Sequence, residues 1–381
     1  MSAPTAATTT YTSDLVALLA LGPIEFLDSI FFSNCYAYGP SRINRVVTSN
    51  NTTVIRDYVD IVVAGATAAR FYFGTPTQTP DPYLTNGPSQ AVHPAYKHQS
   101  YLRLRGFSLG NSPAAPTGQL IVGRYPQPTG VDLGATSNRI GDDANPAHVI
   151  CELLTSTRFG LGLPPSQINA ASFRDAAARF AAAGYGLSVF IERQEPVQQL
   201  IAEICEYFGG ILRDNGGQAE LFVPNVTDFD GSPLLTAAHY VEEPKFSFGS
   251  WSDTLNQINV LYSEPAIYLQ ESLWIVMNDA NMALVGEQRM LSNQRRWLTS
   301  QANADRYAKA VLAAKSKPVA TCNCRVLAGA VAGLLPGDAV RATIPDTGDV
   351  LAFRITSMTE ETAGAQSVTL ELSQDYSEVL P

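Results

Sequence analysis

The chain has 381 residues, 45% of them apolar, which is enough for two or three domains with cores of their own and too apolar for a disordered protein. Its 35 acidic against 25 basic residues give a formal net charge of −10 and exclude the clustered Lys and Arg on which tight nucleic-acid binding depends. No apolar run reaches the roughly 18 residues of a membrane helix, and Met1-Ser2-Ala3-Pro4-Thr5 lacks the basic and apolar regions of a signal peptide, so synthesis in the cytoplasm is expected.

Residues 1–12 are small, Ala- and Thr-rich and read as a loose arm. The apolar run 15–21 is followed by Gly22-Pro23-Ile24-Glu25 and Ile30-Phe31-Phe32, and its length fits either a strand or a helix. From 46 to 124 the signals are mostly β. The runs 54–63, 69–74, 101–107 and 119–124 are short and rich in β-branched or aromatic residues, as a small barrel or sandwich requires. Residues 75–99 carry five prolines and form a long loop, expected to touch a partner or to be ordered by its prolines alone.

A helix is predicted from Asn145, whose side chain can cap it, through Pro146 at the first position, with Ala147, Ile150, Cys151 and Leu154 on one face. Arg158-Phe159-Gly160-Leu161-Gly162-Leu163-Pro164-Pro165 then forces an apolar turn. A second helix is predicted from Ser172, with Asp175 three residues on, to near Gly184, and a strand after it. A third starts at Pro196, repeats Val197, Leu200, Ile201, Ile204 and Phe208 at helical spacing and stops at Gly209-Gly210. Residues 211–213 and 219–223 flank Asp214-Asn215-Gly216-Gly217, where Asn-Gly predicts a tight hairpin. Beyond it, strands are expected at 245–248, 258–262 and 274–277, a helix over 300–315, and antiparallel strands at 320–327, 339–344, 350–359 and 367–373, which argue a second small barrel.

The words Asn145-Pro146-Ala147, the 158–164 turn and Gly209-Gly210-Ile211-Leu212-Arg213-Asp214-Asn215-Gly216-Gly217 resemble the baseplate hub proteins of long-tailed phage tails, the family of lambda-type tip attachment proteins. Upstream, Phe71-Tyr72-Phe73-Gly74-Thr75-Pro76-Thr77-Gln78-Thr79-Pro80-Asp81-Pro82, Ser108-Leu109-Gly110 and Val122-Gly123-Arg124 are similar to hub segments. So are Asn256-Gln257-Ile258-Asn259-Val260-Leu261-Tyr262 and Leu335-Pro336-Gly337-Asp338 downstream. The resemblance spans roughly residues 15 to 375 and no one word is specific. It implies a virion structural protein: a homotrimer at the distal tail tip that surrounds the DNA channel. The implied neighbours are a distal tail protein, a tape-measure protein and a central fibre or tip protein that recognises the host. DNA would pass only in transit, and no stable membrane insertion is expected. The expected fold is α+β and β-rich, with two small β-barrel-like hub domains (1–140 and 226–381, the latter carrying the 300–315 helix) around a helical α+β insertion (141–225).

No residue is expected to be catalytic or to hold a cofactor or metal. Glu203 and Glu206 share a predicted helix face, and Glu242-Glu243 and Glu360-Glu361 are adjacent pairs that a strand would point to opposite sides. No phosphate loop, His-Glu-x-x-His or dinucleotide fingerprint occurs. The cysteines Cys35, Cys151, Cys205, Cys322 and Cys324 are odd in number and are expected to be free thiols. Cys322 and Cys324 would share a strand face. Some related tail-tip proteins hold an iron–sulfur cluster, but one close pair does not supply four ligands. His93, His98, His148 and His239 lack zinc spacing. The alternatives to the tail-hub reading are a peptidoglycan-degrading hub enzyme and the hub of a contractile injection or secretion device.

Overall fold

The ambiguous run 15–21 is extended, and it edges the first of two units, Met1–Tyr125. In this computed structural model the residues described are 10–32, 35–39, 42–49, 52–86, 93–191, 195–264, 270–360 and 366–375. Residues 1–9 of the expected arm, residues 87–92 of the 75–99 loop and the 361–365 loop lie outside them. In the first unit, strands β1 (Tyr11–Leu21), β2 (Phe26–Phe32), β3 (Cys35–Tyr38), β4 (Ile43–Asn44), β5 (Val46–Ser49), β6 (Thr52–Ile55), β7 (Tyr58–Ile61) and β8 (Ala68–Tyr72) come first. A short helix, α1 (Pro82–Asn86), then precedes β9 (Gln99–Gly110) and β10 (Gly118–Gly123).

An antiparallel sheet in the order β1-β9-β8-β7 and a second sheet, β10-β2-β3 with β4 on β2, share one core. Leu27 and Ile30 from one sheet meet Phe71, Leu102 and Leu104 from the other, all nearly inaccessible. Each such side chain contributes about 1.5–3 kcal/mol by leaving water. The expected single strand 54–63 is two. The break falls at Arg56-Asp57, where the Arg56 N–H donates to Arg45 O and the Asp57 carbonyl accepts from Phe73 N–H, so the backbone leaves one ladder for another.

The second unit, Pro126–Pro381, begins with β11 (Arg139–Ile140), β12 (Asp143–Ala144), α2 (Pro146–Thr155), α3 (Ala170–Ala183), α4 (Val197–Glu206), β13 (Ile211–Asn215) and β14 (Gln218–Phe222). It continues with β15 (Leu234–Leu235), β16 (Lys245–Phe248), β17 (Gln257–Glu264), β18 (Gln270–Met277), α5 (Asp279–Val285), β19 (Met290–Gln294) and α6 (Gln301–Lys315), and ends with β20 (Ala320–Leu327), β21 (Ala339–Thr343), β22 (Val350–Glu360) and β23 (Ser367–Gln374). The last strands form a six-stranded sheet, β15-β21-β22-β23-β20-β16, antiparallel except for β15 on β21, over a core of its own. The chain is therefore α+β and β-rich, as its sequence leads one to expect.

The caps follow the sequence at some ends and not at others. Asn145 caps α2 as predicted, accepting from Ala147 N–H at 3.2 Å. α3 starts two residues before Ser172, because Asn169 accepts the Ser172 N–H at 3.3 Å and is itself the cap. Pro196 caps α4 from outside, and Val197 is the first helical residue. No strand forms after α3 among the described residues; Leu187 makes a single bridge to Ala144. The helix expected over 300–315 forms, but its buried Ala304, Tyr307, Ala308 and Leu312 pack with Val260 and Tyr262 in the core of α2, α3 and α4, not with the C-terminal strands. Alanines on its buried face let α6 lie close on β17 and β18, so residues 257–315 pack with the helical segment, across the expected boundary at 225/226.

Candidate functional site

The Pro-rich stretch after β8 is a buried polar knot, ordered by hydrogen bonds more than by its prolines. Gln78, fully inaccessible, accepts the Gly74 N–H at 3.0 Å and donates to the carbonyls of Ala95 and Tyr96 at 2.9 and 3.1 Å. Asp81 accepts from Tyr72 Oη at 2.9 Å, from Arg103 Nε at 3.2 Å and from the Tyr83 N–H at 2.7 Å. Burial raises the Asp81 pKa, and the Tyr72 hydroxyl and Arg103 charge outweigh it, so the carboxyl titrates below its ordinary range. The Tyr101 ring stacks on Tyr72 at 4.2 Å. Tyr72, Gln78, Asp81 and Arg103 were not legible as a set, since their signal is burial of polar groups far apart in the chain.

In the second unit the 158–165 turn closes the open end of α2. Leu161 and Leu163 donate to the carbonyls of Leu153 and Leu154 at 2.9 and 2.8 Å, and Gly160 and Gly162 both donate to Ser156 O at 3.1 Å. The two glycines are needed for different reasons. A Cβ on Gly160 would stand 2.2 Å from Leu153 O, whereas Gly162 has φ +67° and a Cβ there would make only ordinary contact with Thr157.

The hairpin β13–β14 turns at Gly216-Gly217, with φ +62° and +86°, one residue later than Asn-Gly predicts. Asn215 stays paired with Gln218 because its Nδ2 donates to Glu220 Oε2 at 2.7 Å. Beside it Arg213 donates to Glu220 Oε1 at 3.0 Å through Nε, and to Asp338 Oδ1 and Pro336 O at 2.7 and 3.1 Å. Its guanidinium lies 4.4 Å from the centre of the Phe222 ring. Arg354, 7% exposed, donates to Asp228 Oδ2 at 3.0 Å, to Gly337 O at 3.1 Å and to Asn225 O at 2.8 Å, and also binds Asp375. Thus two arginines clamp the hairpin and the 225–229 turn to the Leu335-Pro336-Gly337-Asp338 turn, joining two of the words on which the family resemblance rests. Burial raises the pKa of Glu220, and hydrogen bonds from Asn215 and Arg213 outweigh it, holding the carboxyl below its ordinary range. The shallow pocket here, about 290 Å³, is lined by Phe222, Asp228, Asp230, Ser232, Leu334 and Asp338 among others. Asp228 and Asp338 are committed to Arg354 and Arg213, so the arrangement braces the chain.

The other candidates are scattered. Glu203 binds Arg296 at 2.9 Å and Glu206 binds Arg295 at 3.2 Å, so the neighbours on α4 brace the 295–296 segment. Glu242 and Glu243 are exposed in the bend before β16, not on a strand, and Glu361 lies outside the described residues. Gly106-Phe107-Ser108-Leu109-Gly110 spells the Gly-x-Ser-x-Gly of hydrolases. It lies within β9, where Ser108 pairs with Thr12, and not on the strand-to-helix turn that exposes such a nucleophile. Cys322 and Cys324 lie buried on the core face of β20, as their spacing requires. The hydrogen bond it donates to Cys324, and then burial, push the Cys322 thiol up. Burial likewise pushes Cys151 and Cys205 up to about 12. His148 is buried, which lowers its pKa, and His239 Nδ1 accepts from Thr236 N–H at 3.1 Å. Among the described residues no three His, Cys, Asp or Glu gather as a metal would need, and no helix is long and apolar enough to cross a membrane.

Fold and site together define a β-rich chain in which buried Gln78, Asp81, Arg213 and Arg354 are spent on internal bracing. No known family profile and no curated protein matches the sequence. The fold is shared with a solved virion chain. A chain in the virion of a native gene transfer agent particle superposes with TM-score 0.59 at 15% identity, over 98% of this chain and 81% of that one. The prophage tail protein gp18 from Listeria monocytogenes matches 47% of this chain and 52% of its own at TM-score 0.32 and 13% identity. The tail protein from Neisseria meningitidis matches 51% and 60% at TM-score 0.35 and 15% identity.

Proposed function

We propose that the chain is a structural protein of a phage-type tail: the hub at its distal end, a homotrimer around the DNA channel that joins the distal tail ring to the tip or central fibre. The observation that supports this most is the fold shared with a virion chain over 98% of the length. The order of hub-like words in the sequence supports the finer placement. A non-enzymatic role is supported by Glu203, Glu206, Glu220 and Asp228, which lie in ion pairs with arginines. The partners proposed are a distal tail protein, a tape-measure protein and a fibre or tip protein, with DNA in transit. Labelling particles with an antibody against this chain tests the reading: label at the tail tip is expected, and label elsewhere refutes the hub. Light scattering of purified chain is expected to give three times the 40.9 kDa chain mass.

A further inference from the structure

Asn215 ends β13 with a buried carboxylate on one side and the turn glycines on the other. Its Nδ2 donates to Glu220 Oε2 at 2.7 Å, the oxygen to which Asn169 Nδ2 also donates at 3.2 Å. Glu220 Oε1 takes the Arg213 guanidinium, which in turn reaches Asp338. The amide of Asn215 therefore belongs to the clamp that ties the hairpin to the 335–338 turn. Its backbone leads to Gly216, exposed in the turn, where nothing lies within 4 Å of the place a Cβ would take. An Asn-Gly bond carries a chemistry of its own. With no Cβ in the way, the glycine nitrogen can attack the side-chain carbonyl carbon of the asparagine. A C–N bond forms and closes a cyclic imide, the side-chain amide C–N bond breaks, and ammonia leaves with the proton that the glycine nitrogen gives up. Water then opens the imide at either carbonyl, leaving aspartate or isoaspartate. The closed hairpin opposes the first step. Bringing Asn215 Cγ onto Gly216 N turns Asn215 out of the extended backbone that pairs it with Gln218, and it takes the amide off Glu220.

We propose that Asn215 is a self-modification site gated by this clamp: it deamidates in molecules whose hairpin has opened, and the product keeps the hairpin from closing again. An aspartate at 215 puts an acceptor where Glu220 has a donor, and sets two carboxylates at hydrogen-bond distance where Glu220 is only 9% exposed. An isoaspartate adds a carbon to the backbone and so breaks the register that holds Arg213 opposite Glu220. By either route Glu220 swings off Arg213, and the tie from Arg213 to Asp338 loses the carboxylate that aims it. The change runs one way, because the ammonia is lost to solvent. It follows from the hairpin alone and holds wherever the chain sits in a particle.

The full chain held in mildly alkaline buffer, native and unfolded in urea, tests this. Peptide mapping by mass spectrometry follows modification at 215 and separates it from the chain's other Asn-Gly, Asn86-Gly87. The native chain is expected to deamidate at 215 at least about tenfold more slowly than the unfolded one, as a reaction confined to a minor open state must. Glu220→Ala, which removes the acceptor of the Asn215 amide, is expected to recover most of that difference. A further measurement needs no variant. Deamidated wild-type chain, separated by ion exchange on its extra negative charge, should exchange amide hydrogens faster than unmodified chain at 211–222 and 335–338, with exchange in β8 and β9 unchanged. An unfolded chain that stays unmodified at 215, equal rates in the native and unfolded chains, a native rate untouched by Glu220→Ala, or unchanged exchange at 335–338 after deamidation would each overturn the proposal. If Glu220→Ala does not fold, the comparison with urea and the exchange measurement decide it.

Discussion

Replacing Gly160 by alanine should destabilise the second unit more than replacing Gly162, although only Gly162 has a backbone conformation that favours glycine. A Cβ at 160 would lie 2.2 Å from Leu153 O and 2.9 Å from Ser156 O, two of the three oxygens that the turn serves. The turn must lift away, breaking Leu161 N–H to Leu153 O and the two bonds to Ser156 O. Three hydrogen bonds at about 1 kcal/mol each give about 3 kcal/mol. At 162 the nearest atom to a Cβ is 3.6 Å away, so the cost is the left-handed conformation alone, about 1–2 kcal/mol. For a unit of this size about 2–4 °C of melting temperature follows each kcal/mol, which gives roughly 6–12 °C for Gly160→Ala and 2–8 °C for Gly162→Ala. Thermal unfolding followed by circular dichroism, with both variants and Gly162→Asn, measures this. Asparagine tolerates positive φ and should recover part of the loss at 162. A Gly160→Ala protein that melts with the wild type, or one less affected than Gly162→Ala, would refute the reasoning.

Arg213→Ala leaves Glu220 and Asp338 facing each other without their cation and should cost about 3 kcal/mol, while Arg213→Lys, which cannot fork between them, recovers only part; urea titration separates the two. Asp81 and Glu220 are held below their ordinary range, so each contributes stability that is complete above the unfolded carboxylate value near pH 4 and is lost as pH falls through the lower folded value. The melting temperature should therefore drop below about pH 4, and Glu220→Gln should flatten that acid limb; an unchanged limb counts against the clamp. Cys151, Cys205, Cys322 and Cys324 are buried and should resist a thiol reagent at pH 8 until denaturant is added, and elemental analysis of purified particles should find no stoichiometric iron or zinc in this chain. With net charge −10 the wall of the proposed channel is expected to be neutral or acidic, and the protein should bind double-stranded DNA only weakly at physiological salt; submicromolar binding that weakens steeply with salt would contradict this.

Local signals were legible wherever one residue type answers one backbone demand. Asn145 and Pro146 marked the start of α2, the spacing of Leu200, Ile201 and Ile204 marked α4, and the alternation of Cys322, Cys324 and Val326 marked β20 and its inward face. Where two neighbours could do the same work, the sequence named the wrong one. Asn169 took the cap that Ser172 also offered, and Gly216-Gly217 took the turn because Asn215 had a better use for its amide on Glu220. Tertiary structure alone decided the longer-range matters. It alone could bring Arg213 to Asp338, 125 residues away, Gln78 under the carbonyls of Ala95 and Tyr96, and α6 onto β17. Periodicity reports that a face is apolar but not which of several apolar faces will cover it. That choice belongs to shape, to the small residues that permit close approach, and to the buried polar groups that must each find a partner before the chain can close.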